Sequence, residues 1–233
     1  MSRQFLLLWL LAAGSRAYAG QEGAALLPEG STLILGFTGG MDRADDPERG
    51  VRRVALAIRA MGLPGVYAET FEHYRHREAR RRVVAALDAN GNRRVDGEER
   101  GRVKIILFGQ SLGGGEVVRL ARELGKAGVA VELTVQVDSV SLGRDGHIPP
   151  NVRRAVNFYQ KELLTFRGED YIQAEDARRT KILGNFRFRY PLLAMYPAPE
   201  LSWRRVLGGG HARMEADPLL WAQIQALIVE SIQ

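Results

Sequence analysis

Ser111 stands at the centre of Gly109-Gln110-Ser111-Leu112-Gly113, which follows the apolar run Val103-Lys104-Ile105-Ile106-Leu107-Phe108 and opens the helix-like stretch Gly114 to Leu124. A GxSxG at a strand-to-helix junction is the setting of a nucleophile elbow. The sharp turn lifts the serine hydroxyl above the sheet, and glycines two residues either side let strand and helix approach without a Cβ clash. A serine hydroxyl is a weak nucleophile by itself. It needs a base, usually histidine, and the base needs a carboxylate to fix its tautomer and stabilise its charge. Asp138 ends the apolar stretch Leu133-Thr134-Val135-Gln136-Val137, at the carboxyl edge where open α/β sheets build their sites. The plainer reading of Asp138 is a turn cap, because Ser139 to Gly146 is rich in turn formers.

A second pattern bears on cations. From Asp88 to Glu99, oxygen-bearing side chains stand at positions one, three, five, nine and twelve, and Val95 stands at eight. That is the spacing of an EF-hand-type calcium loop, in which hard oxygens at alternating offsets wrap one ion and the twelfth residue closes it. The ligand set is Asp88, Asn90, Asn92, the Arg94 carbonyl, Asp96 and Glu99. Arg93 replaces the glycine usual at position six, and only about one turn follows Glu99 before the elbow strand. The alternative is a polar connection between helix and strand.

The elements that must position these residues alternate in type. Ser31 to Gly36 reads as a buried strand, followed by the loop Phe37-Thr38-Gly39-Gly40. Asp46 and Pro47 read as the start of a helix with Val51, Val54, Ala55, Ile58 and Met61 on one face, ended by Gly62. Gly65 to Thr70 is the next strand, and a basic helix runs through Val83, Val84 and Leu87. The elbow strand and its helix follow, then a strand over Val129 to Val137. Asn151 to Leu164, after Pro149-Pro150, reads as a helix; Thr165 to Thr180 is polar and poorly periodic. Strands are expected near Thr180 to Phe188 and Tyr190 to Tyr196, and Asp217-Pro218 starts a last helix with Leu220, Ile224, Leu227 and Ile228. The β-α alternation predicts an α/β fold, a mostly parallel sheet with helices on both faces.

The stretch Gly109 to Gly114 resembles the elbow of the α/β-hydrolase superfamily, especially its lipases and esterases, and a weaker resemblance extends from Ser31 to the C-terminus. It implies an α/β-hydrolase fold and the chain order serine, acid, histidine. Only His147 and His211 follow Ser111. His211, after Leu207-Gly208-Gly209-Gly210 in a loop before the last helix, stands where the superfamily places its base, with His147 as runner-up. In the superfamily the acid more often follows the strand after the one that Asp138 ends, so Glu169, Asp170, Glu175 and Asp176 remain alternatives. The resemblance also implies an oxyanion hole from the Leu112 amide and from Phe37 or Thr38, although the His-Gly-x of many lipases reads Leu35-Gly36-Phe37 here. Gly39 and Gly40 are equally readable as a tight turn.

The chain has 233 residues, enough for one well-buried α/β domain. Met1 to Ala19 has Arg3, an apolar core from Phe5 to Ala13, and an Ala17-Tyr18-Ala19 end. It reads as a secretory signal peptide cut before Gly20, which gives the domain residues 20–233 and a secreted or periplasmic location. Nine apolar residues fall short of the ~20 that span a bilayer, so no integral membrane span is expected after cleavage. Zero cysteines exclude disulfides and a thiol nucleophile. The net charge of +6 becomes 6 − 2 = +4 without Arg3 and Arg16. The densest basic run, His73 to Arg82, fits a solvated face or an acidic envelope surface better than nucleic acid. The expectation is therefore an exported serine hydrolase acting on a small-molecule or lipid ester. No cofactor is needed for catalysis, and Ca²⁺ would be structural. Acyl transfer with the same triad and a catalytically silent binding protein are the rivals.

Overall fold

The computed structural model describes residues 25–141, 145–161, 168–190 and 203–233, with the backbone alone for 203–208. In chain order the elements are β1 (Thr32–Thr38), α1 (Gly50–Ala60), β2 (Val66–Glu72), α2 (His76–Leu87), β3 (Lys104–Gln110), α3 (Leu112–Lys126) and β4 (Val131–Val137). They continue with β5 (His147–Ile148), β6 (Val152–Gln160), β7 (Gln173–Ala174), β8 (Lys181–Phe188), α4 (Trp203–Ala216) and α5 (Pro218–Ile232). Six strands form one sheet in the order β2-β1-β3-β4-β6-β8, and every neighbouring pair is parallel. The short β5 and β7 pair separately. The fold is α/β, and its strand order and elbow accord with the α/β-hydrolase fold.

Period-two alternation divides the central strands between two cores. Leu33, Leu35, Ile105 and Leu107 pack with Val83 and Leu87 of α2 and with Val117, Leu120 and Leu124 of α3. Ile34, Ile106, Phe108 and Val135 pack on the opposite face with Val51, Val54 and Ile58 of α1 and with Leu220, Trp221 and Ile224 of α5. Helices therefore cover both faces. The handedness of parallel crossovers explains the division. The chain moves one way across the sheet from β1 to β2 and the other way from β2 through β3 to β4. Right-handed connections then put α1 on one face and α2 and α3 on the other. The strands whose connections part company are β1 and β3, so a crevice opens at their carboxyl ends.

The sequence reading departs from the structure in four places. Phe37 and Thr38, expected in a loop, are the last two residues of strand β1, where both pair in register with β2. Asn151 to Leu164 is not a helix: Val152–Gln160 is strand β6, between β4 and β8. Ala155 to Phe158 are all buried, because an interior strand of a doubly covered sheet has no polar face, and periodicity then cannot tell a strand from a buried helix. Helix α1 begins at Gly50 rather than at Pro47; Asp46 instead holds a turn, accepting from the Glu48 amide at 3.0 Å and from Arg49 Nε at 3.1 Å. His211 lies within α4 rather than in a loop. That helix is broken at Gly209 (φ 48°, ψ −131°), a conformation open chiefly to glycine, so His211 starts a second helical segment. The expected strand at 180–188 is present as β8, and Asp217 caps α5 through the amides of Leu219 and Leu220. The signal-peptide segment, and the expected strand at 190–196 beyond Tyr190, lie outside the described residues. Among the described residues no helix is long and apolar enough to cross a membrane.

Candidate active site

The carboxyl ends of β1, β3, β4 and β6 lie side by side and carry, in that order, Thr38 and Gly39, Gln110 and Ser111, Asp138, and Gln160. Ser111 sits between β3 and α3 at φ 57° and ψ −125°, a region costly to any residue with a Cβ. Its backbone is pinned: its amide donates to the Val137 carbonyl at 2.9 Å, and its carbonyl accepts from Gly114 and Val140 at 2.9 and 3.0 Å. The flanking glycines are steric necessities. A Cβ at Gly109 would overlap the Gly113 carbonyl, and one at Gly113 would overlap the carbonyl of Phe37. Ser111 keeps 9 % of its surface accessible, so the strained turn does not seal it from solvent.

Asp138 and His211, 73 residues apart in sequence, meet here: His211 Nδ1 lies 2.6 Å from Asp138 Oδ2. Asp138 is wholly buried, at a positive φ of 43°. Its carboxylate also accepts from Gln160 Nε2 at 3.1 Å and from the Gly168 amide at 3.2 Å. A carboxylate removed from water needs such donors, and Asp138 has three. The next strand along the sheet thus ends not in a second acid but in Gln160, an amide that holds the first. With Nδ1–H directed at Asp138, His211 Nε2 is left as an acceptor, and Gln110 Nε2 lies 3.3 Å from it. Gln110 directly precedes Ser111, so the imidazole's free nitrogen is directed at the elbow.

The other expected residues are placed as follows. Leu112 is the first residue of α3 and half exposed, with its amide at the positive end of the helix dipole. Phe37 is fully buried in the ladder, in register with Phe71 and Gly109. Thr38 ends the strand, its hydroxyl donating to the Asp42 carbonyl at 3.0 Å. The residue against the serine is the next one: a Cβ at Gly39 would stand 2.5 Å from Ser111 Cβ. His147 is exposed, with Nε2 2.8 Å from Gln173. Glu175 pairs with Arg122 at 2.6 Å and Asp170 pairs with Lys161, while Asp176 caps its own turn. Sequence reasoning named Gly39 only as part of a tight turn and missed Gln110 and Gln160; the strand ends on which these two stand were the signal available.

One turn beyond His211, Glu215 accepts from the Gly50 amide at 2.7 Å, tying α4 to the start of α1. Burial, with Asp42 nearby, pushes its carboxyl up to about 7, against the opposing pull of Arg49 and Arg53. In the 88–99 segment, Asp88 accepts from the amides of Asn92 and Arg93 at 3.0 and 2.8 Å, and Asn90 and Asn92 both donate to Asp96 Oδ2 at 2.8 Å. Glu99 is buried and accepts from the amides of Ala89, Asn90 and Asp96. Arg93 adopts φ 62°, the left-handed turn for which position six usually has glycine. Among the described residues no three His, Cys, Asp or Glu side chains are placed to share a metal ion.

No protein-family model matches the chain, and no curated protein matches it. Solved structures do. A Xanthomonas campestris protein described as belonging to the α/β-hydrolase superfamily is 14 % identical with a TM-score of 0.45, covering 86 % of this chain and 99 % of that one. A cutinase-like protein from Cryptococcus sp. is 14 % identical with a TM-score of 0.47 over 87 % of this chain and 95 % of its own. The type II thioesterase BorB of the borrelidin biosynthetic cluster is 11 % identical with a TM-score of 0.44 over 90 % and 96 %. Likenesses this distant assign no residue role, substrate or partner to this chain; the fold rests on its own strand order.

Proposed function

We propose that the protein is a serine hydrolase that cleaves carboxylic esters through Ser111, His211 and Asp138. The observation that carries this reading is the 2.6 Å contact between His211 and a buried Asp138, beside a serine at φ 57° on a strand-to-helix turn. In the first half-reaction Ser111 Oγ adds to the ester carbonyl as its proton passes to His211 Nε2, which must give up its contact with Gln110. Asp138 stays ionised and stabilises the imidazolium. The oxyanion is met by the Leu112 amide and by a second amide from the Thr38-Gly39 turn. Collapse breaks the bond to the alkoxy group, which leaves as an alcohol with the proton from His211. Water then attacks the acyl-serine, giving its proton to His211, and the acid departs as Ser111 recovers that proton.

The test is covalent labelling followed by turnover. A fluorophosphonate is expected to modify Ser111 alone, and Ser111→Ala to abolish hydrolysis of a short-chain aryl ester while keeping the melting temperature. Absence of an adduct on the Ser111 peptide overturns the reading in favour of a silent binding protein. Product partition on adding an alcohol separates acyl transfer from hydrolysis.

We further propose that the protein is exported, on the strength of the N-terminal segment, and that the 88–99 loop holds a structural Ca²⁺. The left-handed Arg93 and the convergence of Asn90, Asn92 and Asp96 support the second reading. Asp88, Asn90, Asn92, Asp96, Glu99 and the Arg94 carbonyl would supply its oxygens.

A further inference from the structure

On the face of the sheet covered by α2 and α3, the two helices leave between them a cleft of about 720 Å³. Arg77, Arg80 and Arg81 reach it from α2, and Arg119 and Lys126 from α3. The spacings i, i+3, i+4 on α2 and i, i+7 on α3 put each set on one helical face, so the two faces converge as a single basic wall. All five cations are exposed. The acid in the cleft is largely committed to its floor. Buried His76 bonds Glu116 through Nδ1 and lies 2.8 Å from Glu123 through Nε2. Arg80 and Arg119 reach these two carboxylates only at 3.6 Å. Among the described residues, Arg77, Arg81 and Lys126 make no ion pair.

From this arrangement we propose that the cleft is a binding site for a compact anion bearing clustered phosphate groups. Five cations against one partly exposed carboxylate, Glu123, leave a surplus that a single carboxylate cannot neutralise, whereas each phosphate brings up to two charges and several acceptor oxygens. Four of the five cations are arginines, whose planar forks match phosphate oxygens two at a time. Concavity favours a compact ligand over an extended strand, which needs a track of cations. The site is separate from Ser111 and does not depend on the hydrolase reading.

Calorimetry of the full chain with inorganic tripolyphosphate at low salt tests this. One site per chain is expected, weakened at least tenfold by the pair Arg77→Glu and Arg81→Glu and unchanged by Arg178→Glu, a control at a side chain 91 % exposed. Lys126→Gln, a milder change, is expected to weaken binding and flatten its salt dependence. No heat with the native chain overturns the proposal, as does a loss with Arg178→Glu equal to that of the pair. Sedimentation with phosphatidylglycerol vesicles identifies the source: pelleting that tripolyphosphate abolishes means a lipid headgroup, and no pelleting means a soluble anion, both upholding the site.

Discussion

Asp138 is the residue whose surroundings most constrain its role. A carboxylate with no solvent contact is costly unless it is hydrogen-bonded, and His211, Gln160 and the Gly168 amide supply three donors. Replacing it by asparagine keeps the shape but presents the wrong partner to His211 Nδ1. Asp138→Asn is therefore expected to fold and to lose on the order of 10⁴-fold in kcat, as in the serine-protease triad. Gln160 bonds Asp138, so under the proposed mechanism it acts by positioning the acid. Gln160→Leu is expected to lower kcat roughly tenfold with KM little changed, reflecting one lost hydrogen bond to a charged group. His211→Ala is expected to lose most of kcat, and His147→Ala none, given the exposed place of His147. A reversed ranking in steady-state kinetics would remove His211 from the site.

At the scale of elements, the elbow works because β3, α3 and the end of β1 approach more closely than side chains allow. Gly113→Ala drives a methyl into the Phe37 carbonyl, a backbone atom that cannot swing away. A loss of roughly 1–3 kcal/mol in denaturant unfolding is expected, together with loss of fluorophosphonate labelling as the serine shifts. A change in stability alone would show that the turn tolerates displacement. The 88–99 loop joins α2 to β3, so order there reaches the strand that delivers Ser111. Calcium is expected to raise the melting temperature and a chelator to lower it. Arg93→Gly is expected to raise the melting temperature with and without calcium, because the left-handed turn that Arg93 adopts costs arginine about 1–2 kcal/mol more than glycine. An unchanged melt with and without calcium would leave the loop a polar turn closed by its own amides.

For the whole molecule, Glu215 makes stability depend on pH. The folded chain keeps this proton up to about pH 7, while an unfolded chain releases it near the ordinary value of 4.5. Between those limits the folded state binds more protons, so stability falls as pH rises through the window and is lowest above it. Glu215→Gln retains an acceptor for the Gly50 amide and removes the charge. The variant is expected to match the parent at pH 4 and to exceed it at pH 8 by on the order of 2–3 kcal/mol. Glu116, whose burial also raises its carboxyl, contributes to both proteins and cancels in the difference. Equal stabilities at pH 8 would mean the charge is already compensated by Arg49 and Arg53.

The sequence by itself determined whatever is local. The apolar runs of β1 and β3 bounded by glycine, the amphipathic α1 and α3, the Asp217 cap and the serine at a strand-to-helix turn are fixed by neighbours within a few residues. Those elements were legible without coordinates. Strand β6 was not, because its burial on both faces erases the alternation that marks a strand, and only the sheet around it imposes that burial. Asp138 and His211 could be named by type and place, but their contact depends on the order β3-β4-β6 and on where α4, broken at Gly209, sets His211. Gln160 and Gly39 belong to no motif, and Gln110 fills a variable position of the GxSxG pattern. They matter because parallel strands in register bring their carboxyl ends into one row, a relation between residues distant in sequence that only tertiary packing creates.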